Sequence, residues 1–454
     1  MNSGIDYEHS VSSAIPGPPG VPVLGSIGPY ARDRVQFIEE VMRTYGDVCR
    51  VRFPLRDTVL LGHPDYAAQV LNDRSGNFSK FGAYGTRVQN IVGGLPFIEG
   101  VRFTERRRAI VPMFAKQELE VVFRKNVRSY TASLPRALSW ATDEDGVTDL
   151  QDAFRWLIIG AILNEIFSDE VTERELRATR DGLIAMGRIF GVVLKMCAPP
   201  NPLWGADRIR STSVPRLFLM LQRKVARRRR DPGDRDDVLA RMLAVRLPSG
   251  AGMSDWDIAT QVLTVMEGSF EPVSAALTQT VARVLANPVV AERLTDEAAQ
   301  QATDDPPTAE VRSARWAKAC FEEAMRLQST PILQRFARSG FVVGGYEIPD
   351  RTLLGIPMSY IHRDPRWWHD PDTYDPARFY DGLPRDVPRL IYLPFGSGPH
   401  RCLGAQLGYL QAQFLLSLLF QRYHMVLPPG WVFRERTSIA PYLRGGLPVR
   451  LTPR

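Results

Sequence analysis

Cysteine and histidine are both scarce in this sequence, with 4 and 6 among 454 residues. The cysteines, Cys49, Cys197, Cys320 and Cys402, lie far apart, and no CxxC or CxxCH occurs. That spacing argues against a disulfide framework and favours a reducing compartment. No run of about 18 apolar residues is present, so no membrane anchor is expected. The opening "MNSGIDYEHSVSS" lacks the basic-then-apolar layout of a signal peptide. These absences together predict a cytoplasmic protein. No internal repeat or low-complexity linker divides the chain. Basic residues outnumber acidic ones 57 to 50, a net charge of +7. An excess of that size allows an acidic partner, but without a recognition motif it gives no ground for nucleic-acid binding. The most basic stretch, "VARRRRDPGDRDD", reads as a helix end followed by an acidic loop on a solvated surface.

What is present is an ordinary globular composition, 44% hydrophobic and 24% charged. The polar residues 1–14 are expected to be disordered. Four prolines in "IPGPPGVPVLG", residues 15–25, predict a stiff extended lead-in. Apolar β-branched runs over 47–62 and 340–358 predict short strands. Helical periodicity dominates 115–330, with breaks at "CAPPNPLWG" and "RRRRDPGDRDD", and another helix is expected from about 403 to 420. The fold class is therefore mainly α with a minor β-rich lobe, read as one large domain over 1–454.

The clearest element is a long helix. Ser254 and Asp257 form a capping-box pattern, and the periodicity persists until Asn287-Pro288. About 33 residues at this rise span roughly 50 Å. Near its middle, in "TVMEGSFEPVSAAL", stands Pro272, which has no amide to donate and crowds the preceding turn.

A second landmark is "LPFGSGPHRCLGAQLG", residues 393–408, where glycines 396, 398, 404 and 408 surround a single cysteine. Glycines permit a tight turn, and a helix starting after Cys402 would aim amide donors at its sulfur, as a metal-ligating thiolate requires. The alternative is a buried structural cysteine at a helix start. A dinucleotide-binding loop fails, because the third glycine would fall on Arg401.

Phe395, Gly398, Cys402 and Gly404 resemble the FxxGxxxCxG signature of the cytochrome P-450 superfamily. The resemblance implies the fold of that family, with haem b (iron protoporphyrin IX) between the long helix and the cysteine loop, and Cys402 as axial ligand. Other matches accompany it along essentially the whole chain. "FEEAMR" supplies Glu323 and Arg326, and "YDPARF" supplies Arg378. In the family these three form a charge network bracing the cysteine loop, although a Glu and Arg three apart is by itself an ordinary surface pair. "FTERRRAIVPMF" resembles the helix whose WxxxR motif binds a haem propionate; Phe103 takes the tryptophan position and Arg107 keeps the charge. Arg335 and His400 match other propionate-side positions. Arginine suits a carboxylate through its planar fork of donors.

A thiolate ligand favours O–O cleavage, so the resemblance implies a monooxygenase acting on a lipophilic small molecule such as a terpenoid or polyketide-like intermediate of secondary metabolism. Electrons would come from a ferredoxin and ferredoxin reductase, met by basic residues such as Arg108, Lys116 and Arg124. Substrate-facing segments would be 81–96, 186–204, 265–270, 331–333 and 442–443. The family's oxygen-side segment aligns with Gly268, Ser269, Phe270, Glu271, Pro272 and Val273. The acid is kept, but the threonine that helps order water and deliver protons is replaced by Pro272. Three readings stay open: a substrate hydroxyl or water substitutes for it, peroxide serves as oxidant, or the enzyme performs coupling, desaturation or rearrangement. Ser269 is a candidate substitute donor, and a kink in the helix is the alternative reading of Pro272. A non-oxidising haem protein, a sensor or isomerase-like enzyme, is the competing expectation from another class.

Overall fold

The computed structural model describes residues 15–53, 56–80, 94–168, 171–195, 213–301, 306–328, 332–436 and 441–454. Residues 1–14, expected to be disordered, lie outside that set, as do 81–93 and the break at 197–205. The helices that position the site are α1 (Gly100–Ile110), α2 (Lys116–Trp140), α3 (Leu150–Phe167), α4 (Glu173–Lys195) and α5 (Val214–Arg230). They are followed by α6 (Asp255–Leu285), α7 (Arg315–Leu327) and α8 (Ala405–Arg422).

The long helix α6 is 31 residues, close to the expected length. Ser254 Oγ accepts the amide of Asp257 at 3.1 Å, which satisfies one orphan donor of the first turn. The other half of the expected capping box does not form as drawn. Asp257 turns its carboxylate to the buried Arg106 of α1 and thereby ties that helix to the start of α6. At the far end Asn287 accepts the amide of Val290 at 3.3 Å and opens a new helix at Pro288. Because α6 is apolar on most sides, it must be enclosed. It packs against α3, α5, α7 and α4, with Ile158, Phe270, Leu277 and Phe414 in one common core.

The smaller lobe carries five strands: β1 (Val48–Phe53), β2 (Arg56–Leu61), β3 (Phe78–Ser79), β4 (Leu333–Ala337) and β5 (Leu353–Ile356). Their order is β1-β2-β5-β4-β3. β2 and β5 are parallel, with Thr58 opposite Leu353, and the other pairings are antiparallel. Val51, Val59, Leu60 and Ile356 form a second core with Phe37 and Met42. Ser79 faces Phe336 across β3 and β4. Continuing that register by one step sets Lys80 beside Arg335, two cations side by side at the lobe's inner edge. Among the described residues no helix is long and apolar enough to cross a membrane.

The arginine run departs from the expected solvated surface. Arg227 and Arg230 are exposed, but Arg228 is buried. It donates to both oxygens of Asp237 at 2.9 and 2.8 Å, and to the carbonyl of Phe167 at 2.8 Å. Asp237 in turn caps the helix Val238–Ala244 through the amide of Ala240. Arg228→Ala leaves that carboxylate buried and unpaired, so a loss of about 3–5 kcal/mol is expected in urea unfolding. A loss within the usual surface range, about 0.5 kcal/mol, would restore the solvated reading.

Candidate functional site

A cavity of about 810 Å³ lies between α6 and residues 393–408, with the inner edge of the sheet as its third wall. The cysteine loop is held tightly. Gly396 donates to Leu393 O at 2.9 Å, and Cys402 to Phe395 O at 3.0 Å. Gly398 has φ +69°, and a Cβ there would fall 1.9 Å from Leu71 O, so both the conformation and the close approach require glycine. Phe395 packs edge-on against Tyr409, 5.2 Å between centroids, and lies under Gly408.

Cys402 is exposed and lines the cavity. Burial pushes its thiol up, and the amides of Gly404 and Ala405 and the guanidiniums of Arg107 and Arg401 oppose that by favouring the thiolate. A bound metal cation would complete the deprotonation. The sulfur thus has the donor chemistry of a ligand aimed into an open volume.

Four basic side chains converge beside it. Arg107 donates to Arg401 O at 3.1 Å. Phe103 lies 4.3 Å, centroid to centroid, from the His400 ring. Lys80 is pushed down to about 7 by burial and by Arg335 and Arg107. Burial takes Arg335 down to about 10. His400 is driven to about 3 by burial and the three cations, and its buried Nδ1 has no partner among the described residues. The carboxylate that reaches Lys80 and Arg335 is Glu99, which is shared with Arg338 at 3.3 Å. Mutually repelling cations at a partly buried cavity edge suit a ligand bearing two carboxylates, so the residues present fit a haem with its propionates. No motif marks Lys80 in the sequence; its signal is only a lysine ending the short run "NFSK".

Behind the loop, Glu323 and Arg326 of α7 pair at 2.7 and 2.8 Å, both fully buried. Arg378 Nε stands 3.4 Å from Glu323. Arg326 also donates to the carbonyls of His362, Pro371 and Thr373. The ring of His362 accepts the amide of Leu393, the first residue of the loop, at 3.0 Å.

On the opposite wall α6 continues as helix through Pro272, which faces the cavity with Gly268 one turn before it. The effect of the proline is local: the carbonyl of Gly268 loses its usual amide partner. Glu271 pairs with Arg155 of α3 at 3.3 Å. Thr264, Ser274, Thr278 and Thr280 each bond the carbonyl four residues back. Ser269 lines the cavity and is not among them. One turn before Glu271, and missed by motif reading, Glu267 also lines the cavity.

Several expected substrate-facing residues line the cavity: Met186, Val265, Ile332 and Leu333. Residues 81–93, 196–204 and 331 lie outside the described residues. Others do not line it. Met266 and Phe270 turn into the main core, and Leu443 is locked there by hydrogen bonds with Gln151 at 2.9 and 3.3 Å. Tyr442 follows the same strand and is likewise absent from the lining.

The sequence matches the family model for cytochrome P-450 over residues 15–436. The chain belongs to the cytochrome P-450 family. It is 26% identical to cyclooctat-9-en-7-ol 5-monooxygenase of Streptomyces melanosporofaciens, over 91% of this chain and 90% of that one. Cyclooctatin synthase of the same organism is also 26% identical, covering 98% and 96%. Pentalenene oxygenase of Streptomyces avermitilis is 25% identical, covering 98% of each. The crystal structure of the cytochrome P450DA haem domain superposes with a TM-score of 0.82 at 22% identity, covering 97% and 96%. The protein is therefore a P-450 monooxygenase with a haem-thiolate cofactor, in the mainly helical fold expected.

The P-450 loop depends on a neutral His362. Burial, Arg326 and Arg363 push it down to about 3 from an ordinary 6.5. Between those values the unfolded chain takes a proton that the folded one refuses, so stability present above pH 6.5 is lost as pH falls toward 3. His362→Gln keeps an acceptor for Leu393 but does not titrate. Urea midpoints should favour the wild type at pH 7, with the gap narrowing steadily toward pH 4. A gap independent of pH would refute the neutral buried ring.

Proposed function

We propose that residues 1–454 form one haem-thiolate oxygenase domain in which Cys402 ligates the iron of haem b. Lys80, Arg107, Arg335 and His400 hold its propionates, and Phe395, Gly398 and Gly404 shape the ligand loop. Glu323, Arg326 and Arg378 keep that loop in place. The observation that carries this reading is the Cys402 sulfur, open to the cavity and served by the amides of Gly404 and Ala405. The thiolate-ligated haem supplies oxygen activation and insertion of one oxygen atom into the substrate.

The substrate we propose is a lipophilic terpenoid or polyketide-like intermediate of secondary metabolism, oxidised in the cytoplasm. Support comes from the apolar lining by Ile162, Leu263, Val265, Met325 and Leu333, and from relatives named pentalenene oxygenase and cyclooctatin synthase. A ferredoxin, reduced by its reductase, supplies the electrons. Arg108, Lys116 and Arg124 are exposed and offer an acidic partner its complement. Glu271 and Ser269 are the proposed proton-handling groups beside Pro272. The missing hydroxyl gives one specific ground for a second reading, in which peroxide is the oxidant and no proton delivery for oxygen activation is needed.

Reduction under carbon monoxide should give the Soret band of a thiolate-ligated haem, and Cys402→Ala should abolish it; a Cys402→Ala variant that retains the band would overturn the ligand assignment. Turnover with ferredoxin, reductase and NAD(P)H should then exceed turnover with peroxide alone, and product with peroxide only would favour the second reading. Pro272→Thr restores the usual alcohol. If substrate or water already fills that role, coupling of electrons to product should change less than about twofold, well under 1 kcal/mol in barrier. A gain of about tenfold would mean that the native wall lacks a proton donor.

A further inference from the structure

Glu267 is a polar group of the α6 wall that the proposed oxygen chemistry leaves without a task; Thr264 on the same wall is occupied by the carbonyl of Thr260. Its Oε2 is buried and, among the described residues, has no hydrogen-bond partner. The neighbouring carboxylate, Glu271, is paired with Arg155. From α4 the chain presents Gly187 at this point. A Cβ built there would lie 3.8 Å from Glu267 Oε1 and 3.8 Å from Glu271 Cγ, so no side chain of that residue covers the carboxyl. The group borders the cavity beside apolar neighbours such as Leu263 and Met186.

We propose that the carboxyl of Glu267 is the polar anchor of the substrate, donating a hydrogen bond to an acceptor oxygen, hydroxyl or ketone, that the lipophilic molecule already carries before it is oxidised. The inference rests on the reading of this cavity as the substrate site. It narrows the substrate from a bare hydrocarbon to an oxygenated one.

The physical ground is that a buried polar group left unpaired is unfavourable, so the site rewards a ligand that satisfies it and discriminates against one that does not. Its protonation makes the donor role available. Burial first, and then the charge of Glu271, push Glu267 up to about 8, so it holds its proton at neutral pH. The charge that acts on it is Glu271 on its own helix, itself paired with Arg155 on α3; Glu165 of α3 and Arg241 line the same cavity, and the facing residue of α4, Gly187, carries no charge.

The test uses the haem-loaded enzyme and equilibrium dialysis against camphane, cedrane and labdane skeletons, each as hydrocarbon, alcohol and ketone. At pH 7 the oxygenated members of the best-bound series should bind about tenfold tighter than the hydrocarbon. Glu267→Gln retains an N–H donor and should keep that preference. Glu267→Leu should lose it while keeping hydrocarbon affinity. At pH 9.5 the wild type should lose the preference for the ketone, which has no proton to give a carboxylate, and Glu267→Gln should not. Infrared spectra of the enzyme should show a protonated-carboxyl band at pH 7 that is absent from Glu267→Gln. Equal binding of hydrocarbon and ketone, or a preference surviving in Glu267→Leu, overturns the anchor alone. Binding of no member overturns the lipophilic-site reading and the anchor with it.

Discussion

The cysteine loop depends on one buried ion pair. A guanidinium has five N–H donors and cannot be neutralised, so burying it demands an acceptor for each. Arg326 meets that demand in full: two bonds go to Glu323 and one each to the carbonyls of His362, Pro371 and Thr373. Glu323 also accepts the amide of Asp375 and pairs with Arg378. Helix α7 is thereby bound to two stretches of irregular chain that have no ladder of their own. His362 carries the constraint onward, giving its carbonyl to Arg326 and its ring to the amide of Leu393. The start of the loop at Leu393 is thereby tied to the core, and the loop's own turns, through Gly396 and Cys402, carry that anchorage on to the sulfur.

The opposite electrostatic design operates at the cavity edge. Around Arg326 every charge is matched, whereas Lys80, Arg107 and Arg335 face one another with Glu99 divided among several claims. Such a cluster weakens the folded chain by itself and is relieved by an anion that binds only that state. Burial first, and then this repulsion, depresses the ionisation of Lys80 and His400. On the proposed reading, cofactor binding and folding would be coupled through Lys80, Arg107, Arg335 and His400. That coupling would give a reason for a basic group one step beyond the last β3–β4 pair, Ser79 and Phe336, where the register continues to Arg335.

Much of this was legible in the sequence because it is local. Strand alternation, the cap at Ser254, the glycines around Cys402 and the ordered Glu323, Arg326 and Arg378 motifs all sit in short windows whose physics needs no distant partner. The chief misses share the opposite property. Lys80 acquires its setting from the β3–β4 register, Arg228 from an aspartate beyond a loop, and Leu443 from Gln151 of α3. A charge run looks solvated until tertiary structure supplies its acceptor. Likewise Phe270 lies in a cavity-lining segment, yet the helical period turns it into the core.

Glu267 combines both lessons. As a residue it is an ordinary acid on a helix, and at i, i+4 from Glu271 it should be an unfavourable like-charge pair. Three elements change its character together: Arg155 from α3 pairs with Glu271, Gly187 from α4 withholds a side chain, and burial keeps the second carboxyl protonated. Two acids on one face thus diverge into one that is paired with a guanidinium and one that is an unpaired donor. Pro272 stands on that wall where an alcohol is usual, and Gly268 contributes a carbonyl without its amide. The wall has exchanged a hydroxyl, which both gives and accepts, for a separate donor and a separate acceptor. Separated polarity of that kind selects for orientation of a ligand that has its own polar end, which a hydrocarbon does not.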